Sequence, residues 1–146
     1  MTTTTSPWSY KTTVLSPDGK FTADYDEAME VGQGAPTRGT LTIEGNDKKE
    51  VISRSAGASM TWSDDSRFLA FSEWTKKMNQ ILCIYDTKEK RIDRATKEYR
   101  VIELKDFKNG IIHGIDSPIH RSKEIHYEYI NLAEQGACHN AGKPAS

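Results

Sequence analysis

Four histidines, His113, His120, His126 and His139, are the side chains in this 146-residue chain suited to proton transfer near neutral pH. His120 heads the run His120-Arg121-Ser122-Lys123, and His126 follows within one strand length. Two imidazoles beside a cation are what phosphodiester cleavage or transfer uses. One takes a proton, the other gives one, and the cation (Lys123) offsets the charge that develops on the phosphoryl oxygens. The plainer reading of the same residues is a polar surface hairpin. Nucleophilic catalysis finds less support. There is no G-x-S-x-G elbow, and Cys138 and His139 are neighbours only in sequence, within a Gly/Ala-rich tail that holds no geometry.

The second concentration of reactive groups is acidic: Asp24, Asp26, Glu27 and Glu30, just ahead of a Gly/Pro-rich stretch over 32–39. These carboxylates are not spaced as a calcium loop. Gly32-Gln33-Gly34 lacks the third glycine and the strand-to-helix setting of a dinucleotide loop. Neither Cys83 nor Cys138 has a neighbour at metal-ligand spacing, so no metal and no cofactor is indicated. Carboxylates beside a flexible loop do suit the capture of a basic protein surface, with a solvated loop as the plainer alternative. Aromatic pairs offer a further contact surface, Trp62 with Trp74 and Tyr127 with Tyr129, against the alternative of core packing. The candidate partner-binding set is therefore Asp24, Asp26, Glu27, Glu30 and Trp74.

Composition limits what can hold these groups. A hydrophobic fraction of 36%, a charged fraction of 28% and a mean hydropathy of −0.69 describe one globular domain with a modest core. No apolar run reaches the roughly 18 residues of a membrane span. The opening MTTTTSPWSY lacks the basic start and apolar centre of a signal peptide, so a cytoplasmic location is expected. The net charge is −1, which does not suggest a nucleic-acid binder. The expected organisation is a flexible leader over 1–9, a single β domain over 10–134 and a flexible tail over 135–146.

Strand signals fill that domain. Tyr10–Leu15 stops at Ser16-Pro17-Asp18-Gly19, where proline presets one turn angle and glycine accepts positive φ. Lys20–Tyr25 follows and leads into the acidic run. Thr40–Ile43 alternates with period two, and Gly45-Asn46-Asp47 turns the chain toward Val51-Ile52. Ser63–Ala70 repeats Ser16–Ala23 with matching Ser, Asp, Phe and Ala and a Lys/Arg exchange, which marks an internal repeat. Ile81–Tyr85 is apolar at consecutive positions, so both of its faces should be buried. Over 88–104 the spacing of Ile92, Ala95, Tyr99 and Ile102 fits one helical face, but two short strands fit the repeated plan better. Asn109-Gly110 reads as a hairpin turn before Ile111–Ile115, and Glu124–Ile130 alternates as a last strand.

The segments Ser16–Ala23, Ser63–Phe71 and Ile81–Arg91 together resemble the blade repeat of TolB-like and WD-repeat β-propellers. The resemblance implies four-stranded antiparallel blades, about 10–56 and 57–104, with an extra hairpin over 105–134. Closure takes about four or more blades and this chain has room for two. The expected fold is therefore all-β, with antiparallel blade-like sheets packed as a half-propeller or β-sandwich. The function expected is a non-catalytic cytoplasmic protein-binding module, most concretely a small immunity-type inhibitor that covers a toxic enzyme. The alternatives are a phosphodiester-cleaving enzyme using His120, His126 and Lys123, and a propeller fragment that closes by homo-oligomerisation.

Overall fold

Two turns of matching chemistry start the two halves of the fold. In the first, Ser16 Oγ donates to Asp18 Oδ1 at 2.7 Å and accepts from the Phe21 amide at 3.1 Å, while Asp18 Oδ1 also accepts from the Lys20 amide at 2.9 Å. In the second, Ser63 Oγ donates to Asp65 Oδ1 at 2.5 Å and accepts from the Phe68 amide at 3.0 Å, and Asp65 Oδ1 accepts from the Arg67 amide at 3.1 Å. The left-handed position is Gly19 in one turn (φ 77°) and Ser66 in the other (φ 67°). The turns touch: the Asp18 amide donates to Ser66 Oγ at 2.9 Å.

The computed structural model describes residues 5–117, 119 and 121–129. It is all-β, with two antiparallel sheets and no helix among those residues. The larger sheet is a seven-stranded meander: β1 (Thr12–Leu15), β2 (Thr22–Glu30), β3 (Thr37–Gly45), β4 (Lys48–Trp62), β5 (Phe68–Trp74), β6 (Gln80–Asp86) and β7 (Arg91–Tyr99). It curls into a half-barrel. The smaller sheet joins β8 (Ile102–Lys108), β9 (Ile111–Asp116) and β10 (Lys123–Glu128). The ambiguous segment over 88–104 is thus strand, and β8, whose first residues were grouped with the second repeat, heads the small sheet. The Asn109-Gly110 turn has positive φ at both residues, as a tight hairpin demands.

The curl originates in β4, which at 15 residues pairs with β3 along its first part and with β5 along its last. Ala56 opposes Glu73 and Met60 opposes Phe71, so β4 carries two more residues than β5 over that interval, and such a bulge bends a strand. Thr5 sits at the bend: its Oγ1 accepts from the Met60 amide at 2.8 Å. Within the segment expected as a leader, the Pro7 carbonyl also accepts from the Thr37 amide at 3.2 Å. Across the curl, the buried Trp62 indole donates to the Val14 carbonyl at 3.0 Å and stacks on Phe21.

Two cores result. The first fills the hollow of the half-barrel with Val14, Tyr25, Leu41, Met60, Leu69 and Phe71 among others. The second lies between the outer face of β5–β6 and the small sheet, and includes Phe68, Leu82, Ile84, Leu104, Ile112 and Tyr127. Strands β5 and β6 feed alternate side chains to both cores, which explains their unbroken apolar runs. Strand β8 is anchored by side chains of the large sheet. Gln80 Oε1 accepts from the Ile102 amide at 2.6 Å, and Ser59 Oγ accepts from the Leu104 amide at 2.8 Å.

Candidate functional site

The strand expected over Lys20–Tyr25 extends to Glu30 and carries the whole acidic run, whose geometry follows from alternation. Ala23 and Tyr25 point into the first core, so Asp24 and Asp26 point outward, opposite Thr42 and Thr40 of β3. A bulge after Asp26, with Glu27 at φ 57°, resets the register so that Met29 opposes Arg38. The outer faces of β3 and β4 add Arg38, Lys49, Val51 and Arg54. Two shallow grooves of about 300 and 480 Å³ run along this face and share Glu27 and Arg54.

Electrostatically the face is bipolar rather than acidic. Carboxylates occupy β2 and its end, whereas Arg38, Lys49 and Arg54 occupy β3 and β4. Lys11 Nζ pairs with Asp26 Oδ2 at 3.0 Å, and Thr13 Oγ1 donates to Asp24 Oδ1 at 3.2 Å. The Glu27 amide and the Lys11 ammonium hold the Asp26 carboxyl below its ordinary range, and Asp26 in turn raises Lys11. Partial burial, with Glu30 nearby, raises the Tyr10 hydroxyl. The sequence reading located these carboxylates but missed the bases facing them, because the pairing of β2 with β3 and β4 is what brings them together.

The same face exposes apolar side chains that the sequence reading did not single out. Met29 is 74% exposed, Val51 48% and Met78, from the β5–β6 turn, 45%. Met29 and Met78 line the larger groove with Glu27, Glu30 and Arg38. The available signal was Val51, an apolar residue at an outward position of an alternating strand. Methionine, flexible and polarisable, adapts to irregular partner surfaces.

Trp74 has a structural role beside this face. Half-buried at the end of β5, it donates its indole N–H to the Thr37 carbonyl at 3.0 Å. Thr37 is itself buried, with its Oγ1 2.8 Å from the Tyr25 hydroxyl and donating to the Ser9 carbonyl at 2.5 Å. Through this bond Trp74 braces β5 against β3.

The histidine constellation regroups. His120, Cys138 and His139 lie outside the described residues. Lys123 and His126 are three positions apart on β10, so alternation puts them on opposite faces. His126 is paired instead with His113, its direct partner across the β9–β10 ladder, with ring centroids 5.2 Å apart. His113 Nδ1 lies 2.9 Å from Asp106 Oδ1 of β8. The buried Cys83 faces the first core, where burial pushes its thiol well up and makes it a poor nucleophile. Comparison with protein-family models, with curated proteins and with solved structures gives no match in any of the three.

Proposed function

We propose that this chain is a non-catalytic protein-binding module, most concretely a small immunity-type inhibitor that neutralises a toxic enzyme by covering it. The outer face of β2–β3–β4 is the docking surface. The observation that carries the reading is the exposure of Met29 and Met78 in one groove and of Val51 in the adjoining one, both lined by carboxylates and basic side chains. Apolar anchors surrounded by charge are the usual anatomy of a specific interface, in which burial supplies affinity and the charged rim sets register and encounter rate. Asp24, Asp26, Glu27 and Glu30 would meet basic residues of the partner, while Arg38 and Arg54 would meet its acids. A relation to β-propeller blades forms part of the proposal, supported by the matching hydrogen bonds of the two Ser-x-Asp turns.

The test is co-purification of the chain with the product of its neighbouring gene, followed by the same experiment with Met29→Asp and Val51→Asp. A complex that forms with the wild type and is lost in both variants supports the reading. Failure of the wild type to form one rejects the function, and a complex that survives both substitutions rejects this face.

A further inference from the structure

We infer that the cross-strand pair His113 and His126 forms a surface site for a borderline divalent transition-metal ion such as Zn²⁺, with Asp106 as the positioning residue. The pair faces outward on the small sheet. Ile112 of β9 and Ile125 and Tyr127 of β10 fill the second core, so the alternating residues His113 and His126 project to solvent, and both are exposed. They are direct partners in the ladder, with rings edge to face at 5.2 Å, a separation from which small rotamer changes bring two imidazole nitrogens onto one ion. The Asp106 contact to His113 Nδ1 fixes the ring's tautomer and leaves Nε2 as the ligand, the arrangement that carboxylates impose on metal-bound histidines.

The surroundings select a cation over a phosphate. Among the described residues Glu103, Asp106, Glu124 and Glu128 share this face with Lys105 and Lys108, and Glu128 Oε2 lies 3.7 Å from His126 Nε2. A local excess of negative charge repels a phosphodiester and draws a divalent ion. Imidazole ligands favour zinc, nickel or copper over magnesium or calcium. No three histidine, cysteine or carboxylate groups converge as a ready set among the described residues, so water completes the coordination.

The proposal is tested on the full chain by titration with ZnCl₂ in a calorimeter and by thermal unfolding with and without the ion. The wild type should take up one ion and unfold at a higher temperature when loaded, because the ion ties β9 to β10 only in the folded state. His113→Ala and His126→Ala should each abolish uptake. Asp106→Asn should weaken affinity about 10- to 100-fold while leaving the ion-free unfolding temperature unchanged. A His120→Ala/His139→Ala double variant should bind like the wild type, and excess MgCl₂ should not compete. Should an alanine variant misfold, the imidazole proton resonances of wild-type His113 and His126 supply the decision by shifting together on zinc addition. No uptake by the wild type, or uptake that persists in His113→Ala, overturns the assignment.

Discussion

The first and second Ser-x-Asp turns make the same hydrogen bonds and feed strands of the same opening pattern, yet the strands they start have different environments. Strand β5 is buried on both faces, whereas β2 is buried on one and open to solvent on the other. The cause is geometric. Strands β2 and β5 run in opposite directions in one sheet, and each has its hairpin partner on the same side. Superposing one on the other therefore requires turning the sheet over. Phe21 and Ala23 consequently face the half-barrel hollow, while Phe68 and Ala70 face the small sheet. Turn chemistry is a local property; which face a repeated strand buries depends on its place in the sheet and on what packs there.

The largest contrast between the copies should come from their basic residues. Arg67 clamps Asp86 through two bonds, Nε to Oδ1 at 3.0 Å and a terminal nitrogen to Oδ2 at 2.9 Å, and Asp86 is 1% exposed. Asp86 Oδ1 also accepts from the Lys88 amide. Asp86→Asn should cost about 3–5 kcal/mol in urea denaturation, because it breaks a bidentate charge-assisted contact at a carboxylate that is almost wholly buried. Lys20, the first-copy counterpart of Arg67, is exposed, and Lys20→Ala should stay within about 0.5 kcal/mol. Comparable losses in the two variants would erase the distinction drawn between the copies.

Next in size is the contact that lets the second copy pack so closely. A Cβ on Gly57 would stand 2.2 Å from Ser72 Oγ and 2.9 Å from Gln80 Nε2. Gly57→Ala should destabilise by about 1–3 kcal/mol through overpacking. Ser72 Oγ is buried without a hydrogen-bond partner among the described residues, so Ser72→Ala should be neutral or stabilising. Combining the two should recover part of the Gly57→Ala loss, since the oxygen that clashes is gone. Strict additivity in that double-mutant cycle would show that Ser72 is not the obstacle.

Much of this architecture was legible in the sequence, and what was not has a physical reason. The consecutive apolar residues of β6 announced burial on both faces, and the Ser-x-Asp turns announced themselves by hydrogen-bonding chemistry. The middle of β4 did not, because Ser53-Arg54-Ser55-Ala56-Gly57-Ala58-Ser59 has weak strand propensity. Its small residues are required by what lies against it, Gly57 by Ser72 and Ser59 by the Leu104 amide, and neither partner is near in sequence. The strand read over Lys20–Tyr25 runs on to Glu30, and that extension was hidden because the bulge after Asp26 breaks the alternation among the carboxylates. His113 and His126 could not be joined before the β9–β10 register was known; the sequence grouping with Lys123 followed proximity along the chain, which a strand reverses at every odd step.

A smaller effect tests whether the two turns are as alike energetically as they are geometrically. Ser16→Ala and Ser63→Ala each remove one hydroxyl that bridges an aspartate and a phenylalanine amide. Each should cost about 1–2 kcal/mol, with the pair agreeing within about 0.5 kcal/mol. A much larger loss for Ser63→Ala would mean that the docking of β8–β10 is coupled to the second turn, where the Asp64 amide donates to the Phe107 carbonyl.

The smallest effect is expected on the open face. Met29→Ala should change stability by less than about 0.5 kcal/mol, because a side chain 74% exposed leaves no cavity when truncated. Protein concentration gives the measurement its force. If two copies met through this face, truncating Met29 would lower the unfolding midpoint of a concentrated sample and leave a dilute one unchanged, since association stabilises by mass action. Equal midpoints across a hundredfold dilution, for wild type and variant alike, would leave the face open in the isolated chain and available to a different protein. A concentration-dependent midpoint that disappears in Met29→Ala would instead assign the face to self-association, and the contrast between a covered and an uncovered strand would hold only for the monomer.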